Sequence, residues 1–494
     1  MKRKTWIVSA LMYALVFLVC FGVLHVFKKI TTAIDSTEYT TETGADTDIV
    51  IDGTDNDADP DKDHKNGKND GNGEVGPSGD TEETQDKIDG KGTYIRRETG
   101  YKGWNKTIEQ VWPAVPQELP YAPPKIIQAT DVHYQSADAE DDGAAFQLFV
   151  ERCDGKVVKY LPQLLDAFMD QVIAEKPSAL VLSGDITMNG EKINHEELAR
   201  KLGKVQEAGI PVLVIPGNHD INNPNAAVYF GDEKTATDSV TPEEFYDIYH
   251  MYGYDQAISR DSASLSYVYQ LDERNRLLML DSCQYEPENL VEGRIKAETL
   301  VWMDEQLKKA QEDGMQILPI AHHNLLAQSR MYTTQCAMDN NGEVIDLLQK
   351  YKIPLFLSGH LHVQHFMQHN DMGIYEIVTS SLSTPPCQYG VLEYMENDTF
   401  SYSTRQVDME KWARKNHSTD ENLLNFNTYS PYTLKQIFYN QAYDAMKNSA
   451  EEETGSVYVK LTEDQKQQMS GVYADINTAC YAGRAWDVAE DAVK

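Results

Sequence analysis

The chain has 494 residues, with 44 Lys+Arg against 78 Asp+Glu, a formal charge of −34. At roughly 150 residues per domain this length allows about three domains. A balance this acidic excludes a general binder of nucleic acid, which needs clustered cations. Six Cys, one of them (Cys20) inside the first apolar run, form no disulfide framework.

Residues 1–4 (Met-Lys-Arg-Lys) precede a run from Thr5 to Phe27 without a formal charge, followed by Lys28 and Lys29. At about 1.5 Å per residue a helical run of this length spans a hydrocarbon core of about 30 Å. It is too long for the apolar stretch of an ordinary cleaved signal peptide, and Thr31-Thr32-Ala33 is a poor cleavage site. Residues 1–34 therefore read as an uncleaved signal anchor with its N-terminus inside, which puts the rest outside the cell membrane as a single-pass protein. Cleavage would instead release the protein.

Residues 35–92 hold 18 Asp+Glu against 5 Lys and only five large aliphatics, Ile49, Val50, Ile51, Val75 and Ile88. Such a segment cannot bury enough apolar surface to offset its ordering entropy. Residues 35–120 are read as an acidic disordered tether and lead-in. The alternation of Asp55, Asp57, Asp59, Asp61 and Asp63 resembles a calcium loop but lacks the glycine an EF-hand needs.

From Tyr121 short apolar runs alternate with helical stretches. Strands are expected at 125–130, 179–182, 211–215, 316–321 and 354–357, and helices at 157–175, 196–207, 297–312 and 342–351. This alternation argues an α/β layered fold over residues 121–405, with helices covering a sheet. A polar, Tyr-rich insertion at 222–262 carries the capping box Thr241-Pro-Glu-Glu244. Residues 406–494 read as a helical appendage. Ser418 and Thr462 open further capping boxes, and Leu434, Ile437, Phe438, Ala442 and Ala445 lie on one face.

Five groups of ligand-type residues follow the apolar runs in order: Asp131-Val-His133, Gly184-Asp185, Gly217-Asn218-His219-Asp220, His322-His323 and Gly359-His360-Leu-His362. Each alone is weak. All five at strand ends is what convergence at one sheet edge requires. Paired divalent cations need a shared anionic bridge, imidazoles and oxygen donors, and these residues offer all three. On an extended segment His360 and His362 would point to the same side. No phosphate-cradling G-x-x-x-x-G-K-[ST] loop is present.

These five groups resemble the pattern of the calcineurin-like metallophosphoesterase superfamily, over about residues 121–400. The stretches from Gly184 to Glu191 and from Asn218 to Asn223 are similar to its bacterial cyclic-nucleotide-phosphodiesterase-like branch. The resemblance implies a layered β-sandwich flanked by helices, with two metal ions drawn from manganese, iron and zinc. It implies that Asp131, His133 and His362 hold the first metal, that Asp185 bridges, and that Asn218, His322 and His360 hold the second. It implies that His219 contacts the phosphate or protonates the leaving group, with Asp220 orienting it. The implied reaction is attack of a metal-bridging hydroxide on a phosphodiester or phosphomonoester. Met188 stands where purple acid phosphatases carry a Tyr, and Asn324 where many relatives carry Pro.

The substrate would be a small phosphate ester or an envelope polymer. A non-catalytic metal-binding scaffold at the envelope is the contrasting expectation. Outside the ligand set, His195 is expected to be solvated or capping, His365 and His369 to lie at the surface, and Asp281 to close a strand-end turn.

Overall fold

The computed structural model describes residues 87–88, 92–93, 105–109, 122–328, 335–369, 373–395, 399–452 and 460–484. The expected anchor, and the 35–120 tether apart from three short strands, lie outside the described residues. Among the described residues no helix is long and apolar enough to cross a membrane.

Two mixed sheets face each other. In the first, Lys125–Ala129, Ala179–Ser183 and Val212–Ile215 run parallel, and Gln388–Tyr394, Thr399–Gln406 and Asn105–Glu109 extend it antiparallel. In the second, Asn275–Leu280, Gln316–Ala321, Leu355–Ser358 and Ile374–Val378 run parallel, with antiparallel strands at both edges. The parallel strands coincide with the apolar runs, because strands buried on both faces must be continuously apolar. Strand Asn105–Glu109 belongs to the folded unit, which corrects the expected start at Tyr121. It holds a single large aliphatic, and an edge strand needs no more.

Side-chain alternation divides the second sheet between two cores. Leu277 and Met279 point into the core shared with the first sheet, while Leu278 and Leu280 pack under helices Ala297–Glu312 and Asn341–Lys350. Helices Leu161–Glu175 and Lys192–Glu207 cover the first sheet. In Leu161–Glu175 the residues Leu161, Leu164, Leu165, Phe168 and Val172 repeat at helical spacing and are all buried. Lys176 then ends the helix in a left-handed conformation.

The insertion carries the expected capping box, with Thr241 and Glu244 closing it reciprocally. So does Thr462, which opens helix Glu463–Tyr481. Ser418 does not cap: helix Glu421–Leu424 starts two residues later, and Asp420 accepts from the backbone N–H groups of Asn422 and Leu423. A carboxylate two residues nearer the helix takes the cap. Helix Phe426–Glu452 buries Leu434, Phe438, Ala442 and Ala445, with Ile437 half-buried.

Candidate metal centre

The five ligand groups meet at the carboxyl ends of the parallel strands. After Ala129 the chain leaves its strand with Asp131 and His133 at φ 52° and 44°. Hydrogen bonds from Asp131 N to Gly184 O (3.0 Å) and from His133 N to Asp185 O (2.9 Å) carry the pairing past the strands, so the first two groups run side by side. Gly184 adopts φ 91° against the ring of His322, where a Cβ would clash.

Asp185 is central. Its Oδ1 accepts from His219 N at 2.8 Å, and its Oδ2 lies 3.2 Å from His322 Nε2 and 3.8 Å from His133 Nε2. On one side His362 Nε2 lies 3.2 Å from Asp131 Oδ1 and 3.1 Å from His133 Nε2. On the other, His322 Nε2 lies 3.2 Å from Asn218 Oδ1, while its Nδ1 is 3.0 Å from Ser183 O. The ligand atoms of Asp131, His133, Asp185 and His362 fall within 4.8 Å of one another, and so do those of His322, His323 and His360.

His322 and His323 are told apart by what their nitrogens face. His323 is committed to Ser282 Oγ (2.8 Å) and Val291 O (3.0 Å), whereas His322 turns Nε2 toward Asp185 and Asn218. His360 has Nε2 2.6 Å from Gln335 O and donates its backbone N–H to Asp131 Oδ2 at 3.0 Å. Both His360 (φ 70°) and His362 (φ 59°) are left-handed. This corrects the expectation of an extended segment: a tight bend, not strand alternation, brings the pair to the site.

The donor set fits cations. Asp131 Oδ1 is buried and accepts no hydrogen bond, although His362 Nε2 lies 3.2 Å from it. Two ligand atoms each about 2.1 Å from a cation sit about 3–3.5 Å apart, close to the 3.1–3.2 Å contacts found here. Burial alone would raise the Asp185 carboxyl, but His322 and His219 outweigh it and hold it well below the usual range; burial would also raise Asp131, and His362 lowers it. Both carboxylates are thus ready to ligate.

Two expectations are corrected. Asp220 does not orient His219. Its oxygens accept from the backbone N–H groups of Gly217 (2.8 Å), Ile186 (3.1 Å) and Thr187 (2.9 Å) and from Thr187 Oγ1 (2.9 Å), locking the two ligand loops together. Burial and the Asp185 charge push Asp220 up to about 7 against these donors. His219 Nδ1 instead lies 2.8 Å from Met188 O and 3.0 Å from Asn189 Oδ1. His195 is neither solvated nor capping: it is buried behind the same loop, with Nε2 2.9 Å from Asp220 O and Nδ1 3.0 Å from Tyr249 OH.

His365 is half-buried, with Nδ1 2.7 Å from Gln328 Oε1, rather than at the surface. Asp281 closes a turn as expected, accepting from Cys283 N (3.0 Å) and Leu265 N (3.1 Å). The described cysteines are free.

Other supports carried no motif. Ser381 and Ser383 hydroxyls hold the Asp131 carbonyl at 2.8 and 2.9 Å. Asn324 donates to Ser358 Oγ and Gly359 O at 2.9 and 3.1 Å, joining the His322 and His360 loops. The Asn324 side chain thus ties two loops together.

Residues 124–364 match the family model described as calcineurin-like phosphoesterase, and residues 408–494 match that of the C-terminal domain of cyclic nucleotide phosphodiesterase. A protein of Synechococcus sp. named "Probable cyclic nucleotide phosphodiesterase" is 26% identical over 39% of this chain and 60% of its own length. One of the same name from Psychrobacter arcticus is 22% identical over 58% of this chain and 88% of its own. Glycerophosphodiester phosphodiesterase GpdQ of Enterobacter lignolyticus is 22% identical over 50% of this chain and 78% of its own. The match thus spans less than two thirds of the Synechococcus relative. With its ligand-type residues gathered at one sheet edge, the region 124–364 is a domain of the calcineurin-like phosphoesterase family.

Proposed function

We propose that the protein is a metal-dependent phosphoric ester hydrolase acting on phosphodiesters. The observation that carries this reading is the convergence of Asp131, His133, Asp185 and His362 beside His322, His360 and Asn218, with Asp185 between the two groups. Relatives named as phosphodiesterases favour a diester over a monoester.

When bound, a pair of divalent cations supplies Lewis-acid charge for the phosphoryl oxygens and lowers the pKa of water towards about 7. The protein's own part is positioning. Asp185 Oδ1, fixed by His219 N, leaves Oδ2 aimed between the two ligand groups. His219 donates from Nδ1 to Met188 O, which turns Nε2 away from that carbonyl. Burial lowers the His219 pKa, and an anionic ester beside the ring would raise it again. Nε2 then carries the proton that the leaving alkoxide takes up.

The reading places the catalytic unit outside the membrane, tethered by the acidic segment; the charge-free run Thr5–Phe27 supports it. The test loads the purified full-length chain with Mn²⁺ and follows release of 4-nitrophenolate from bis(4-nitrophenyl) phosphate. We expect chelator-sensitive turnover and, for His219→Ala, a loss in kcat of about 10²–10⁴-fold on a dialkyl phosphate, with a much smaller loss on this activated aryl diester. Metal uptake without turnover of any diester would sink the proposal.

A further inference from the structure

His195 lies on helix Lys192–Glu207, buried between the insertion and the ligand loops 185–187 and 217–220. Its hydrogen bonds run one way. The Asp220 carbonyl can only accept, so the ring nitrogen 2.9 Å from it, Nε2, carries the proton. Thr187 Oγ1, 3.1 Å from Nε2, shares that N–H. Burial keeps the ring neutral, which leaves Nδ1 to accept from the Tyr249 hydroxyl at 3.0 Å. The Thr187 hydroxyl donates in turn to Asp220 Oδ1 at 2.9 Å. Tyr249 closes helix Pro242–Tyr249 of the insertion. Aligned donors thus lead from the insertion through His195 to the Asp220 carboxylate, and such a chain strengthens itself in a low-dielectric interior.

The chain ends where the two ligand loops touch. Asp220 accepts from the backbone of Ile186 and Thr187 on one loop and of Gly217 on the other. A Cβ on Gly217 would collide with Asp185 N and Oδ1, and His219 N donates to the same Oδ1 at 2.8 Å. A shift of the Asp220 backbone therefore moves the N–H that fixes Asp185 and the Asn218 amide beside it. The carboxylate is held from the loop side, and the Asp220 carbonyl is held from behind by His195 Nε2.

We propose that His195 is a positioning residue of the metal centre: its Nε2–H anchors the Asp220 backbone and thereby sets the placement of Asp185 relative to Asn218. This rests on the phosphoesterase reading above and concerns how the same site is held ready for its cations.

The experiment compares the full-length chain with His195→Gln, His195→Met and Tyr249→Phe. A glutamine amide nitrogen reaches the place of Nε2 and keeps a donor for Asp220 O. Methionine fills similar space without an N–H, and its adaptable apolar chain lets the variant fold. Tyr249→Phe removes a bond from the same ring on the side away from the ligand loops. Mn²⁺ affinity, read by calorimetry, should stay near wild type in His195→Gln and Tyr249→Phe. In His195→Met it should fall about tenfold, the lower end for a group that supports metal ligands from behind. Urea unfolding of the metal-free chains should show Tyr249→Phe destabilised, because buried Nδ1 loses its donor, so affinity and stability part company. Amide exchange at Ile186, Thr187 and Gly217 should quicken in His195→Met and not in His195→Gln, a readout that needs neither metal nor turnover. Equal affinities in the Gln and Met variants overturn the assignment, and so does an affinity that follows urea stability across all three. Wild type that binds Mn²⁺ yet hydrolyses no diester brings down the phosphoesterase reading instead, and the affinity pattern still decides the role of His195.

Discussion

Asp131, His133, Asp185, His360 and His362 all hold left-handed backbone, a conformation that costs non-glycine residues roughly 1–3 kcal/mol each. Such strain persists where the surroundings over-determine it, and here they do. Backbone donors, the Ser381 and Ser383 hydroxyls and the Asp220 carboxylate fix the loops on every side. The same logic gives Asn189 a positioning role, since it shares the Nδ1 edge of His219 with the Met188 carbonyl. Asn189→Ala should loosen the ring and slow esters of poor leaving groups about tenfold more than esters of good ones, which need little protonation. A series of aryl diesters of graded phenol acidity measures this. His195 gives a prediction about acid stability. Burial lowers its pKa from 6.5 to about 3, and it is neutral with both nitrogens partnered. A depressed histidine stabilises the fold fully above the unfolded value of 6.5, and that contribution is lost as pH falls toward 3. Stability should drop by up to about 1.4 kcal/mol per pH unit across this window. Urea titrations at several pH values should show the dependence flattened in His195→Gln.

Among the elements, strand Ile374–Val378 supports the site from behind through Glu376. This buried carboxylate accepts from Leu325 N (2.8 Å), Leu326 N (2.6 Å), Gln328 Nε2 (2.6 Å) and Ser358 Oγ (2.6 Å). It therefore ties the chain beyond His322 to the strand end before His360. Glu376→Gln turns an amide N–H₂ against backbone donors and should cost about 1–3 kcal/mol in denaturant unfolding, with the ligands themselves untouched. Nothing in the sequence marks Glu376, because a carboxylate inside an apolar run reads as a solvent-facing residue of an alternating strand. The strands and the ligand groups were legible for the opposite reason. Runs such as Ala179-Leu-Val-Leu-Ser183 have no other way to bury themselves, and Gly-Asp or Gly-His at their ends has few other uses. The Asp220 role was not legible. Adjacency to His219 suggests a pair, but the turn at 217–220 sends the carboxylate back onto the backbone of 186 and 187. Sequence neighbours part company wherever the chain turns tightly.

The whole molecule brings the metal question together with stability. The C-terminal helices reach the catalytic unit at two places close to ligands: Leu434 against Gly155, and Tyr481 O accepting from Gln364 N (3.3 Å), two residues beyond His362. Loosening the centre is therefore transmitted to both parts of the fold. Without cations the centre holds two buried carboxylates, with Asp131 Oδ1 lacking a donor, so loading should stabilise the entire unit by mass action. At a free metal concentration 100 times the dissociation constant this is worth about 2.7 kcal/mol per site. For a cooperative unit of this size, with an unfolding entropy near 2.1 cal/mol/K per residue, the melting temperature should rise by roughly 3–4 °C per site. Asp185 stands between both groups and Asn218 beside only one. Asp185→Asn should thus cut uptake of both metal equivalents and abolish most of the thermal shift. Asn218→Ala should weaken one equivalent and leave about half of the shift. Elemental analysis after dialysis against Mn²⁺, paired with melting curves at graded metal concentration, separates the two variants. Equal behaviour would mean that Asp185 serves one cation only and that the two groups are separate sites.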